Sequence, residues 1–218
     1  MKSVALLSGG LDSVVSLAQG RLESEVALAL TFDYGQKAAR QECEAARGLA
    51  GHWGIEHRVM ELPFLAEITP TALVRGELPE PVPELLDDPV LSRSTAELVW
   101  VPNRNGLFIN IAACFAESLG AGLIITGFNR EEAATFPDNS PEFVDAANAA
   151  LALSCAGQVR VVSYTQRLNK VEIVQLGRRL GVPLQRVWSC YRGGDQPCGR
   201  CESCLRNLRA FRQEGEMV

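Results

Sequence analysis

Short apolar runs alternate with longer segments of helical period along most of the chain. Residues 1–7 carry the run Val4-Ala5-Leu6-Leu7, too short for a helix. Gly9 and Gly10 follow, then an apolar-periodic segment from about residue 12 to 21, so this stretch reads as strand, tight turn and helix. A second strand-length run, 26–31, ends in Phe32-Asp33-Tyr34-Gly35-Gln36. Residues 38–49 set Arg40, Glu42, Glu44 and Arg47 around an apolar face, which predicts a second helix ended by Gly51 and Gly54. Further on come a third strand at 55–62 and an apolar, buried helix at 107–119 with Asn103 or Asn105 as its cap. A fourth strand at 122–127, a helix at 141–154 with Pro141 in its first turn, a fifth strand at 159–163 and a helix at 169–180 complete the series. Strands separated by helices imply parallel βαβ units, hence a Rossmann-like α/β fold with a parallel sheet of about five strands and helices on both faces. In such sheets ligands gather at the carboxyl ends of the strands.

One region breaks the rhythm. Residues 63–102 contain seven prolines and scattered acids with no sustained period. Lying between two well-patterned segments, they predict a long loop or lid over an active site. After the fourth strand the polar run from Phe128 to Phe143 is where a substrate pocket belongs.

The turn at residues 8–13, Ser8-Gly9-Gly10-Leu11-Asp12-Ser13 with Leu7 before it, has the makings of a phosphate cradle. Glycines let the backbone approach an anion, successive N–H groups point inward, and the helix that follows adds its positive end. No Gly-Lys-Ser/Thr follows the glycines, so this is not the P-loop of kinases and GTPases.

Composition narrows the class. The chain has 218 residues, 47% hydrophobic and 22% charged, with a net charge of −5. That is enough for one substantial domain and a small appendage, and the acidic balance argues against a nucleic-acid partner. No apolar stretch approaches the length of a membrane span and nothing at the start looks removable, so a cytoplasmic protein is expected.

Seven cysteines in such a chain point to metal or reactivity before disulfides. Cys190, Cys198, Cys201 and Cys204, the last three in C-x-x-C-x-x-C spacing, can close a tetrahedral zinc site with turns supplied by Gly193, Gly194, Pro197 and Gly199. An iron–sulfur cluster uses similar spacing and stays open at this point. The body then covers residues 1–187, and 188–218 forms a small zinc-binding extension whose helix packs through Leu205, Leu208 and Phe211. Cys43, Cys114 and Cys155 read as small buried side chains, and His52 and His57 as structural or surface residues.

The S-G-G-x-D-S run, the Asp33-Tyr34-Gly35-Gln36 turn, the Val101-Pro102-Asn103-Arg104-Asn105 segment, the Pro137-Asp138 loop and Trp188-Ser189-Cys190 with the C-x-x-C-x-x-C tail together resemble the 7-cyano-7-deazaguanine synthases, a family of PP-loop ATP pyrophosphatases, over nearly the whole chain. The resemblance implies the adenine nucleotide alpha hydrolase-like form of the fold. It also implies an ATP-dependent ligase that adenylates 7-carboxy-7-deazaguanine, lets ammonia displace AMP, and uses a second ATP to dehydrate the amide to a nitrile, in queuosine biosynthesis. ATP and Mg²⁺ would lie at Leu7, Ser8, Gly9, Gly10, Leu11, Asp12, Ser13, Asp33, Tyr34 and Lys170, with Ser8, Asp12, Ser13 and Lys170 serving the chemistry. A lysine at a helix start is unfavourable for the dipole unless an anion is nearby, which fits Lys170 to that role. Arg104, Asn105, Asn129, Phe136 and Asp138 would contact the deazaguanine.

One loop departs from the family pattern. Thr135-Phe136-Pro137-Asp138-Asn139-Ser140 stands where Gly-Tyr-Pro-Asp-Cys-Arg is usual, and Glu132 replaces an aspartate. Alternatives on the same scaffold are an adenylating enzyme with another carboxylate or amine, a sulfur transferase, and an ATP-binding module without turnover. Oligomeric state is open: the 107–119 helix serves equally as core or as a homodimer interface.

Overall fold

The computed structural model describes residues 1–215, so the last three residues of the expected 188–218 extension lie outside the described residues. Five strands, β1 (Lys2–Leu6), β2 (Glu25–Asp33), β3 (His57–Glu61), β4 (Leu123–Thr126) and β5 (Arg160–Ser163), form one sheet in the order β3-β2-β1-β4-β5. Every pairing is parallel, with Val4 opposite Leu28 on one side and Ile124 on the other. The expected Rossmann-like α/β architecture is what the chain forms. Its order reverses at β1, between β2 and β4, and that is where such sheets open a ligand crevice.

The period of two along the strands sorts side chains between two cores. Ala5, Leu7, Ala29 and Ile125 face α1 (Leu11–Gly20), α2 (Ala39–His52) and α8 (Lys170–Arg179), packing with Val14, Val15, Leu49, Ile173 and Val174. Val4, Leu28, Leu30, Phe32 and Ile124 face α5 (Arg104–Leu119) and α7 (Pro141–Ser154), packing with Ile109, Ala112, Ala116 and Leu151.

Several expectations need correction. The 63–102 segment is not a bare loop: it holds α3 (Pro63–Ile68) and α4 (Pro89–Val99). Asp88 caps α4, its carboxylate accepting from the N–H groups of Val90 and Leu91; with Pro89 at the first helical position this is a start signal that the surrounding prolines masked. Leu65, Leu73, Leu78, Val99 and Val101 give the segment its own small core around Tyr34. Helix α5 begins at Arg104 rather than 107, and its cap Asn103 sits in the left-handed region at φ 51° without a side-chain cap bond. Nor is it buried all round: Leu119 at its end is exposed. Gly51 lies within α2 and only Gly54, at φ +66°, follows its end. Cys43 is half-buried and Cys114 exposed because α2 and α5 each turn only one stripe inward, and Cys155, half-buried, lies just past the end of α7. His52 is exposed, and His57 is half-buried with Nε2 at 2.8 Å from Thr31 Oγ1.

The junction of β4 with α1 is closely packed. A Cβ on Gly127 would lie 2.5 Å from both the N and the Cα of Ser13, and Ser16 Oγ donates to the carbonyl of Thr126 at 2.5 Å. Gly127→Ala must therefore push the start of α1 off the sheet. It is expected to cost about 1–3 kcal/mol as overpacking, measured by urea denaturation.

Candidate active site

The carboxyl ends of β1, β2 and β4 open into one cavity lined by Ser8, Gly10, Asp12 and Ser13 on one side and by Tyr34, Arg104 and Phe108 on another. Gly9 takes φ +78°, and a Cβ there would meet the carbonyl of Glu42 at 2.9 Å, so only glycine passes this turn. Ser13 closes the loop: its hydroxyl donates to the carbonyl of Gly10 at 3.0 Å and accepts from the N–H of Ser8 at 3.3 Å. Gly10 caps α1 with no side-chain hydrogen bond. The first-turn N–H groups of a ten-residue helix are thus left for a ligand to satisfy.

Lys170 enters the cavity from the first position of α8. Asn169 caps that helix in a capping box with Glu172, which fixes where the lysine points. The Lys170 ammonium, nearly inaccessible to solvent, donates to Asp12 Oδ2 at 2.5 Å and to Glu132 Oε1 at 2.8 Å. Glu132 reaches it from α6 (Arg130–Ala133), capped by Asn129 Oδ1 at 2.9 Å from the N–H of Glu132. Burial would lower the lysine pKa, but the two carboxylates outweigh it and hold the ammonium well above its usual range. Burial likewise works to raise Glu132, yet Lys170 keeps it below the ordinary glutamate value. Asp12 is the exception: burial raises it to about 6 against the pull of Lys170. Its other oxygen, Oδ1, is buried with no hydrogen-bond partner, an acceptor that a cation would satisfy.

Of the remaining residues singled out from the sequence, Leu7, Tyr34, Arg104 and Asn105 also line the cavity. The Tyr34 hydroxyl accepts from Arg104 Nη1 at 3.1 Å, and burial raises its pKa. Asn105 donates to the backbone carbonyl of Asp138 at 3.3 Å, tying α5 to the 137–139 turn. Gly9, Leu11, Asp33, Asn129, Phe136 and Asp138 are not on the wall. Asp33 accepts from the N–H of Gly35 at 2.9 Å and holds the turn after β2. Phe136 stacks with Trp100 at 6.3 Å between centroids. Asp138 accepts from Asn139 Nδ2 at 3.1 Å, and burial raises its carboxyl.

Residues that the sequence did not assign to the site also line the wall, among them Gln36, Glu42, Phe128, Trp188, Ser189 and Tyr191. The last three come from the cysteine segment. The N–H of Trp188 donates to the carbonyl of Gly9 at 2.9 Å, and its indole N–H to the carbonyl of Cys190 at 2.9 Å, so the glycine-rich turn and the cysteine loop are stitched together. The Sγ atoms of Cys190, Cys198, Cys201 and Cys204 lie within 4.8 Å of one another. Backbone N–H groups of Arg192 and Cys198 point at Cys190 Sγ at 3.4 Å, and that of Cys201 at Cys198 Sγ at 3.3 Å, the donors that thiolates would need. This group can hold a metal ion. Helix α9 (Glu202–Gln213) anchors it through Ala210 and Phe211, with Leu205 and Leu208 only half-buried. Arg206 and Arg209 clasp Asp87 of the 63–102 segment, Arg209 at 2.6 Å. Among the described residues no helix is long and apolar enough to cross a membrane.

A family model described as queuosine biosynthesis protein QueC matches residues 2–215. The chain is 62% identical over 217 residues to the 7-cyano-7-deazaguanine synthase of Pelotomaculum thermopropionicum, covering 99% of this chain and 98% of that one. It is also 62% identical over 216 residues to the synthase of Desulforudis audaxviator, with 99% and 98% covered. The synthase of Methanosarcina mazei is 45% identical over 222 residues, with 99% and 95% covered.

Proposed function

The chain belongs to the QueC family of queuosine biosynthesis proteins, and on that premise we propose that its cavity carries out the reaction of a 7-cyano-7-deazaguanine synthase, an ATP-dependent ligase acting on a small molecule. The observation that carries the reading for these residues is the buried Lys170 ammonium beside the glycine-rich turn, held by Asp12 and Glu132. ATP lays its β- and γ-phosphates along the turn and the start of α1. A carboxylate oxygen of 7-carboxy-7-deazaguanine attacks the α-phosphorus and the bond to pyrophosphate breaks. A carboxylate becomes a usable electrophile only once its oxygen can leave, and the charge that gathers on pyrophosphate is met by the turn's N–H groups and Lys170. Ammonia then adds at the acyl carbon and AMP departs, leaving the amide. In a second round the amide oxygen attacks the α-phosphorus of another ATP, pyrophosphate leaves, and loss of AMP together with both protons of the amide nitrogen gives the nitrile.

Mg²⁺ fits the partnerless Oδ1 of Asp12, and when bound it neutralises phosphate charge. The four thiols fit Zn²⁺: tetrahedral Zn–S bonds set sulfurs about 3.8 Å apart, and Cys198 and Cys204 are at 3.9 Å. A four-iron cube would hold its ligands further apart. A closed four-cysteine site has no open position, so this zinc organises the chain rather than activating water.

The position of ATP cleavage tests the reading. Acid-dependent release of AMP and pyrophosphate supports it, and release of ADP and phosphate contradicts it. Because Asp12 titrates at about 6, below that pH its carboxyl carries a proton and neither holds a cation nor pairs with Lys170. The value of kcat/KM for ATP, which reports the free enzyme, is therefore expected to fall about tenfold per pH unit below 6 and to lose this limb in Asp12→Asn.

A further inference from the structure

The cavity is built for anions at the phosphate loop, yet its wall includes a carboxylate that the chemistry above does not use. Glu42 stands in the first turn of α2 and lines the cavity. Its orientation is locked by Gln36, itself buried. Gln36 Oε1 accepts from the N–H of Tyr34 at 2.9 Å, and its amide nitrogen donates to the carbonyl of Phe32 at 3.1 Å and to Glu42 Oε2 at 2.7 Å. Among the described residues no donor reaches Glu42 Oε1, and no ion pair joins Glu42 to Arg104 across the cavity. Burial raises its carboxyl, with Gln36 and then Arg104 opposing.

A fixed carboxylate facing a site for a triphosphate and an acid is electrostatically misplaced unless a donor-rich face of a ligand meets it. Two heterocycles enter this cavity. The edge of adenine sets one amine donor beside a ring-nitrogen acceptor, which a carboxylate would repel. A guanine-type edge presents N1–H and the 2-amino group side by side, two donors at the spacing of two carboxylate oxygens, each of which keeps a free lone pair. In 7-carboxy-7-deazaguanine that edge and the carboxyl lie at opposite ends of the bicycle, and the cavity spans Glu42 and the phosphate loop alike.

Resting on the synthase reading, we propose that Glu42 accepts hydrogen bonds from N1–H and the 2-amino group of the deazaguanine and so sets specificity for the acid. Gln36 is its positioning residue. A glutamine at 42 would turn its own N–H groups toward a ligand donor, so Glu42→Gln loses attraction and gains a clash.

Steady-state kinetics of wild type and Glu42→Gln with 7-carboxy-7-deazaguanine and with its 2-deamino analogue test this. Glu42→Gln is expected to raise KM for the acid about 10- to 100-fold, the range for a hydrogen bond to a charged group, and to leave KM for MgATP within about twofold. Loss of the 2-amino group is expected to cost wild type a similar factor and Glu42→Gln little. Equal discrimination by the two enzymes, or a rise confined to KM for MgATP, overturns the assignment. Should the variant fail to fold, wild type alone decides: indifference to the 2-amino group overturns it while leaving the synthase reading in place. If wild type turns over neither acid, the synthase reading fails and the assignment with it.

Discussion

Lys170→Met is expected to reduce acid-dependent pyrophosphate release by about three orders of magnitude, the upper range for removing one charge-stabilising donor. Methionine matches the length of lysine without its charge, so the cavity keeps its shape while the departing pyrophosphate of the proposed reaction loses its cation. The same change leaves Asp12 and Glu132 facing each other without the ammonium that joins them. Breaking a buried ion pair from one side costs about 3–5 kcal/mol. The lower figure applies here, because the Glu132 side chain is 36% exposed and opens on the cavity. Single-turnover pyrophosphate release and chemical denaturation read the two effects separately. Lys170→Arg keeps the charge but not the size, and is expected to recover stability more than rate.

Loss of the zinc proposed for the four thiols is the second large effect. Without an ion, Cys190, Cys198, Cys201 and Cys204 hold together a loop that has few apolar contacts of its own beyond Trp188 and Tyr191. Cys201→Ser, or chelation of the wild type, is expected to cost on the order of 5 kcal/mol, a fraction of the energy of a structural zinc site because the rest of the sheet folds without it. That corresponds to a fall of roughly 10–20 °C in melting temperature. Function should fail earlier than fold. Trp188 donates to Gly9, and Ser189 and Tyr191 wall the cavity, so ATP affinity is expected to drop under conditions where far-ultraviolet circular dichroism is unchanged. Unaltered ATP affinity in the metal-free protein would mean that the two loops are independent.

The glycine-rich turn and the thiol cluster are legible from sequence because each is compressed into a few neighbouring positions whose spacing encodes its geometry. The alternation of strand-length and helix-length apolar runs was enough for the five parallel strands. What sequence could not supply is the company each charge keeps. Lys170 meets Asp12 from 158 positions away and Glu132 from 38, and no local pattern links them. Glu42 read as one of several charges on the outside of α2. Its place in the cavity follows from the turn at Gly35 and Gln36, which swings the helix start over the phosphate loop. Trp188 and Tyr191 are hidden for the opposite reason: in sequence they flank Cys190 of the thiol cluster, and only the fold carries them to the cavity wall. Phe136 and Asn129 lie in a polar loop after a buried strand, where sequence points to substrate contacts. The structure uses Phe136 against Trp100 and Asn129 as a helix cap, roles that polarity alone does not distinguish from ligand contact.

The most direct measurement is the fate of label and nucleotide in one reaction of the purified protein with 7-carboxy-7-deazaguanine, ATP and ¹⁵N-ammonia, followed by mass spectrometry. Formation of 7-cyano-7-deazaguanine carrying a single ¹⁵N in the nitrile, with two AMP and two pyrophosphate released for each product, is the predicted result. Nucleotide cleaved to ADP and phosphate, or AMP formed with no nitrogen entering the acid, would contradict it.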